Sequence, residues 1–262
     1  MERNRYEEYI KNEYGIPFVS FEGLNIDVIH ELVLALDKIF LKFPALQKAI
    51  CEISNLEQLN AHVNLLMNYK LNYNKLKWND YVEADEEEML IYSQGYNFFT
   101  RKIEYIAVGY GGKISNKSLK TINKRLKKQA EKMYHPKHCR SIEFMLYHEI
   151  GHILEQILNL AQDRYLRYLI ASKTEGFSKM YVVGQISQYA LESIEELIAD
   201  AFAEYMMYPR SNELIYIIGR YIELKYQKYE DKKIFEINHK YGSNLIKSSD
   251  VSKLRFIQKD FT

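Results

Sequence analysis

His148-Glu149-Ile150-Gly151-His152 carries the clearest chemistry in the chain. Two histidines four residues apart fall on one face of an α-helix, about one turn from each other, so both imidazoles can reach one metal ion. The glutamate between them can reach a water on that ion, which is the arrangement of a hydrolytic Zn²⁺ site. A helix with two hydrogen-bonded core histidines is the alternative. The flanks Ile142, Phe144, Met145, Leu146, Ile150, Ile153, Leu154, Ile157 and Leu158 make an apolar, helix-length segment, with Ser141 as a candidate N-cap after Pro136.

The third ligand must come from elsewhere. Some H-E-x-x-H sites continue with glycine at the third residue after the second histidine and a further histidine at the sixth, but here those positions are Glu155 and Leu158. The best candidate region is Tyr189–Tyr205, read as a second helix with Leu197, Ile198, Ala201, Phe202 and Tyr205 on one broad apolar side. Glu196 stands at its start and Asp200 one turn later on the same face. The first carboxylate can bind metal, and the second can accept the outer N–H of a ligating histidine. Ser193-x-x-Glu196 also matches a capping box, in which Glu196 would fold back onto the helix start. Glu192, Glu195 and Glu204 compete for the ligand role.

H-E-I-G-H followed, 44 residues after its second histidine, by Glu196-Leu-Ile-Ala-Asp-Ala-Phe resembles the anthrax lethal factor-type zincins. That group includes the lethal factor catalytic domain, the Pro-Pro endopeptidases, and zincin domains of phage minor head proteins and polymorphic toxins. Ser187-Gln188-Tyr189 matches the family's tyrosine seven residues before the ligand glutamate. Asp200 stands where the family usually has glutamate. Tyr134-His-Pro-Lys-His-Cys-Arg and Phe43-Pro44-Ala-Leu are similar to the phage-type members. The resemblance is dense over 134–210, thin over 20–133 and absent after about 212. It implies an α+β, zincin-like metallopeptidase with a small mixed sheet, the H-E-x-x-H helix and a mostly helical C-terminal lobe. It implies Zn²⁺ on His148, His152 and Glu196, Glu149 as general base, and Tyr189 donating to the oxyanion.

The expected function is therefore zinc-dependent endoproteolysis of a protein or peptide substrate, in a toxin-like, effector or phage-associated setting. The alternative is a phage head or effector component with a non-catalytic zinc site. Against that alternative, Glu149 has no use in a structural site, where a fourth protein ligand is expected.

Composition agrees with a globular chain: 262 residues, 47% apolar and 27% charged. The expectation is a single zincin-like domain over 1–262, with an N-terminal lobe over 1–140 and a C-terminal lobe over 141–262. A net charge of +1 points to no polyanion, and nucleic acid is not expected. Two cysteines, Cys51 and Cys139, form no disulfide framework. The charged start Met1-Glu-Arg-Asn-Arg lacks a signal peptide's apolar core, and no run is long enough to span a membrane. The expected location is the cytoplasm, delivery by a route without a signal peptide, or a phage particle.

The positioning elements read as follows. Residues 24–42 form a helix capped by Asn25, with Ile26, Ile29, Val33, Leu36 and Ile39 or Phe40 buried, ended by Pro44. The sheet is expected over 61–108, most clearly at Lys102–Val108 before Gly109, Gly111 and Gly112. Helices follow over 116–133, 141–160, 193–207 and 212–230. The lysines of 117–132 read as the solvated face of an amphipathic helix, and His135, His138 and Cys139 as a loop without metal.

Overall fold

Lys102–Tyr110 (β5) is rich in the β-branched and aromatic residues that suit a pleated, packed surface. In the computed structural model, which describes residues 2–68, 76–78, 89–97, 102–174, 181 and 184–235, this strand is the centre of a five-stranded mixed sheet. Its partners are β1 (Phe18–Val19), β2 (Glu52–Asn55), β3 (Leu76–Trp78) and β4 (Leu90–Asn97), in the order β1-β2-β5-β4-β3. The β1–β2 and β2–β5 pairings are parallel; β3–β4 and β4–β5 are antiparallel. Val108 lies between Ile53 of β2 and Tyr92 of β4. Tyr105, Ile106, Ala107 and Val108 are consecutive and all buried, so both faces of the central strand are covered. Helix α3 (Leu56–Asn68) covers one of them tightly, because a Cβ on Gly109 would lie 2.9 Å from Leu56 Cδ2.

These strands belong to a compact unit drawn from residues up to Gly23 and from Leu46–Gly112. It also contains α1 (Glu2–Tyr14), whose one buried residue is Ile10. The sheet expected over 61–108 needs correcting on two points. Residues 56–68 are helical, and β1 and β2 lie before that range. Both are too short, at two and four residues, to display an alternating pattern. Part of the 61–108 range falls outside the described residues.

The second unit, from Leu24–Ala45 and Lys113–Phe235, is helical. It takes in helix α2 (Ile26–Lys42), which the sequence reading assigned to an N-terminal lobe. In α2 the residues Ile29, Val33, Leu36, Ile39 and Phe40 are buried as expected, while Ile26 is exposed and the Asn25 side chain makes no cap bond. Helix α4 (Leu119–Glu131) buries Ile122, Leu126 and Ala130 and leaves Lys120, Lys124, Lys127 and Lys128 exposed, the amphipathic helix its pattern predicts. Helix α5 (Ile142–Leu158) carries both histidines of the motif. Helix α6 (Arg164–Thr174) was not anticipated; only Leu166 and Ile170 are buried, too sparse a stripe to read. Asp163 starts it by accepting the N–H groups of Tyr165 and Leu166. Helix α7 (Ile194–Met207) packs on α5, and α8 (Glu213–Tyr229) packs on α7. The described fold is α+β, mostly helical, with a small mixed sheet.

Candidate metal centre

Helix α5 begins where Ser141 Oγ accepts the Phe144 N–H, and apolar residues anchor it on nearly every side. That packing fixes the rotation of the helix and turns His148 and His152 to a common point. Their rings lie 4.7 Å apart and nearly perpendicular, with the two Nε2 atoms 3.1 Å from each other. Glu149, between them, is buried.

Helix α7 supplies the third group. Ser193 Oγ caps it by accepting the Glu196 N–H at 3.1 Å, so one half of the capping box is present. The Glu196 side chain is occupied elsewhere: its Oε2 lies 3.2 Å from His148 Nε2 and 3.3 Å from His152 Nε2. Of the competing glutamates, Glu204 pairs with His138, and neither Glu192 nor Glu195 joins the cluster.

Gly151, inside the motif, is what lets the two helices come this close. A Cβ there would lie 2.8 Å from the Cα of Ala199 and 3.2 Å from its carbonyl oxygen. The sequence reading gave Gly151 no role. A glycine between two candidate ligands, with Ala199 three residues after the candidate glutamate, was the available signal.

The three facing atoms make a triangle with sides of 3.1, 3.2 and 3.3 Å. Tetrahedral ligands held at about 2.0–2.1 Å from zinc stand roughly 3.3 Å apart, so the triangle fits a bound ion of that size. The enclosed Glu196 Oε2 has no hydrogen-bond partner, an arrangement that a cation satisfies. This buried His148, His152, Glu196 cluster can hold a metal ion.

Asp200 supports it from behind. Its Oδ1 lies 2.8 Å from His148 Nδ1, and its Oδ2 accepts the Ser187 hydroxyl at 2.5 Å. A carboxylate can only accept here, so Nδ1 carries a hydrogen, which leaves Nε2 as the atom that can give a lone pair to a metal ion. Burial pushes the His148 imidazole towards its uncharged form, but the Asp200 and Glu196 carboxylates outweigh that and hold it well above the ordinary histidine value. Burial likewise pushes Glu196 up, and the two histidines outweigh it, holding the carboxyl well below its usual range.

Tyr189 sits in a 3₁₀ turn, Tyr189–Leu191, with its ring 6.0 Å from that of His148. Ser187 ties this turn to Asp200 and also accepts the Ala190 N–H. The backbone N–H groups of Gln188 and Tyr189 donate to the carbonyls of Met133 and Tyr134. The 134–139 loop therefore forms one wall of the centre, with the His135 ring 5.4 Å from Tyr189. Burial holds the His135 imidazole below its ordinary value. In that loop His138 bonds Glu204, and Cys139 is buried against Met145. Among the described residues no helix is long and apolar enough to cross a membrane.

No family model, no curated protein and no solved structure matches this chain.

Proposed function

We propose that this protein is a zinc-dependent metalloendopeptidase of the zincin type, acting on a protein or peptide substrate. The reading is carried by the triangle of His148 Nε2, His152 Nε2 and Glu196 Oε2 with the buried Glu149 on the same helix between the two histidines. Two imidazoles and a carboxylate favour zinc over calcium or magnesium, which prefer all-oxygen sites. The same donor set also serves iron in oxygenases; a carboxylate beside the ligands, placed to take a proton, supports hydrolysis instead. Among the described residues the cluster has three members, which supports an open position rather than a closed structural site.

A zinc ion in this cluster supplies Lewis acidity, making a water more acidic and polarising a peptide carbonyl. Glu149 takes a proton from the attacking water and passes it to the amine as the C–N bond breaks. Asp200 holds His148 in the tautomer that presents Nε2. Tyr189 donates a hydrogen bond to the oxygen that gains charge when water adds to the carbonyl carbon. The cytoplasm, a phage particle and delivery into another cell remain the proposed settings.

The test is a map of new protein N-termini in cells producing wild type or Glu149→Gln, with zinc measured in both. Glu149→Gln should bind one zinc per chain and generate no new N-termini, while wild type generates a defined set. Identical sets would remove the peptidase reading.

A further inference from the structure

We propose that His135 is a second hydrogen-bond donor at this centre, aimed with Tyr189 at the oxyanion formed when water adds to the scissile carbonyl; the inference rests on the peptidase reading above. The ring stands edge-on to two groups of the centre, 5.4 Å from Tyr189 and 6.5 Å from His148. It therefore occupies the wall that a metal ligand and the proposed oxyanion donor share. It is not among the three metal-holding residues.

Its surroundings also differ from those of the framework histidines. His62 and His138 each place Nδ1 against a buried carboxylate, Glu52 and Glu204 respectively. His135 is more buried than either, yet its Nδ1 is enclosed with no hydrogen-bond partner. An enclosed N–H without an acceptor is rarer and more costly than an enclosed lone pair. The lone pair thus belongs on Nδ1, and the ring hydrogen on Nε2, at the opposite edge of the ring.

The loop that carries this donor is fixed relative to Tyr189. Gln188 N donates to Met133 O at 2.8 Å and Tyr189 N donates to Tyr134 O at 3.1 Å. Three residues on, His138 binds Glu204 of α7, the helix that also carries Glu196 and Asp200. Donors on two laced segments keep a set spacing, which charge stabilisation at one oxygen requires.

The test uses zinc-loaded wild type, His135→Leu, His135→Gln and Tyr189→Phe, with inorganic phosphate as a tetrahedral oxyanion. Zinc affinity should be the same in all four. Phosphate affinity by calorimetry should fall about 10–100-fold in His135→Leu, the usual effect of losing a hydrogen bond to a charged group. His135→Gln, whose side-chain amide can donate near the Nε2 position, should recover most of it. Nitrogen-15 shifts of the His135 ring should show the hydrogen on Nε2. Unchanged phosphate binding in His135→Leu, or a hydrogen found on Nδ1, overturns the inference while leaving the peptidase reading intact. A wild type that binds no zinc removes both.

Discussion

Glu52 in the sheet unit and Glu196 in the helical unit are both buried glutamates facing histidine, and they end differently. Glu52 is fully enclosed and fully used. Its Oε1 accepts from the Ser54 hydroxyl and lies 2.9 Å from His62 Nδ1, and its Oε2 accepts from the Tyr105 hydroxyl. Burial, and then the Glu52 charge, push the Tyr105 phenol well above its ordinary value. Phe18 closes the edge of His62 at 4.5 Å. Glu196 instead leaves Oε2 without a hydrogen bond, facing the Nε2 atoms of two imidazoles. A carboxylate–histidine network with every oxygen occupied is framework. One with an enclosed oxygen on which two imidazole nitrogens converge is a place for a cation; Glu204, whose Oε2 is also enclosed without a partner, pairs with His138 alone.

The largest expected effect breaks this contrast by crossing substitutions. His148→Ala should lose nearly all bound zinc at equimolar metal, measured by elemental analysis. Glu52→Gln should keep a full equivalent of zinc while losing about 1–3 kcal/mol of stability in urea unfolding, because one of the two acceptor oxygens becomes an NH2 group that faces donors. Zinc retained by His148→Ala, or lost by Glu52→Gln, would erase the distinction between the two networks.

The two networks were also unequally legible in sequence. His148, Glu149 and His152 lie within one helical turn, where spacing alone brings side chains together, and Glu196 and Asp200 repeat that logic on a second helix. Ser141 and Ser193 marked the starts of both helices correctly. Glu52, His62 and Tyr105 come from β2, α3 and β5, and no local spacing rule joins three separate elements. The same limit hid β1 and β2, which the parallel sheet creates through distant pairing rather than through their own two- and four-residue patterns. It hid Gly151 as well, because its reason is the backbone of Ala199 in another helix.

A smaller effect is expected behind the metal centre. Asp200→Ala removes the acceptor for both His148 Nδ1 and the Ser187 hydroxyl. Zinc affinity should fall about 10–100-fold, as is usual when the outer partner of a ligating histidine is lost. Competition with a chelator measures it. An unchanged affinity would mean that α5 packing alone orients His148.

Gly151→Ala sharpens the comparison further, since it touches no ligand. The added methyl meets Ala199 backbone rather than a flexible side chain, so α5 and α7 must move apart. About 1–3 kcal/mol of stability should be lost in urea unfolding. Zinc affinity should weaken with it, because Glu196 moves with α7. Normal affinity in a destabilised Gly151→Ala would show that the triangle tolerates helix separation.

The smallest effect is the pH dependence of the metal-free protein. Glu196 is held below its ordinary value, so its contribution is present above the unfolded carboxyl value, about 4.3, and is lost as pH falls towards the folded one. His148 is held above its ordinary value, so its contribution is fully present below about 6.5 and is lost as pH rises through the folded one. Both contributions are complete only between about pH 4.3 and 6.5. The stability difference between chelator-treated wild type and Glu196→Gln should therefore be greatest in that window and shrink on either side. Saturating zinc should move the maximum of that difference upward, because protons and metal compete for His148. A difference that stays flat from pH 4 to pH 9 would show that Glu196 and His148 do not pair as charges, and that geometry alone gathers the three donors.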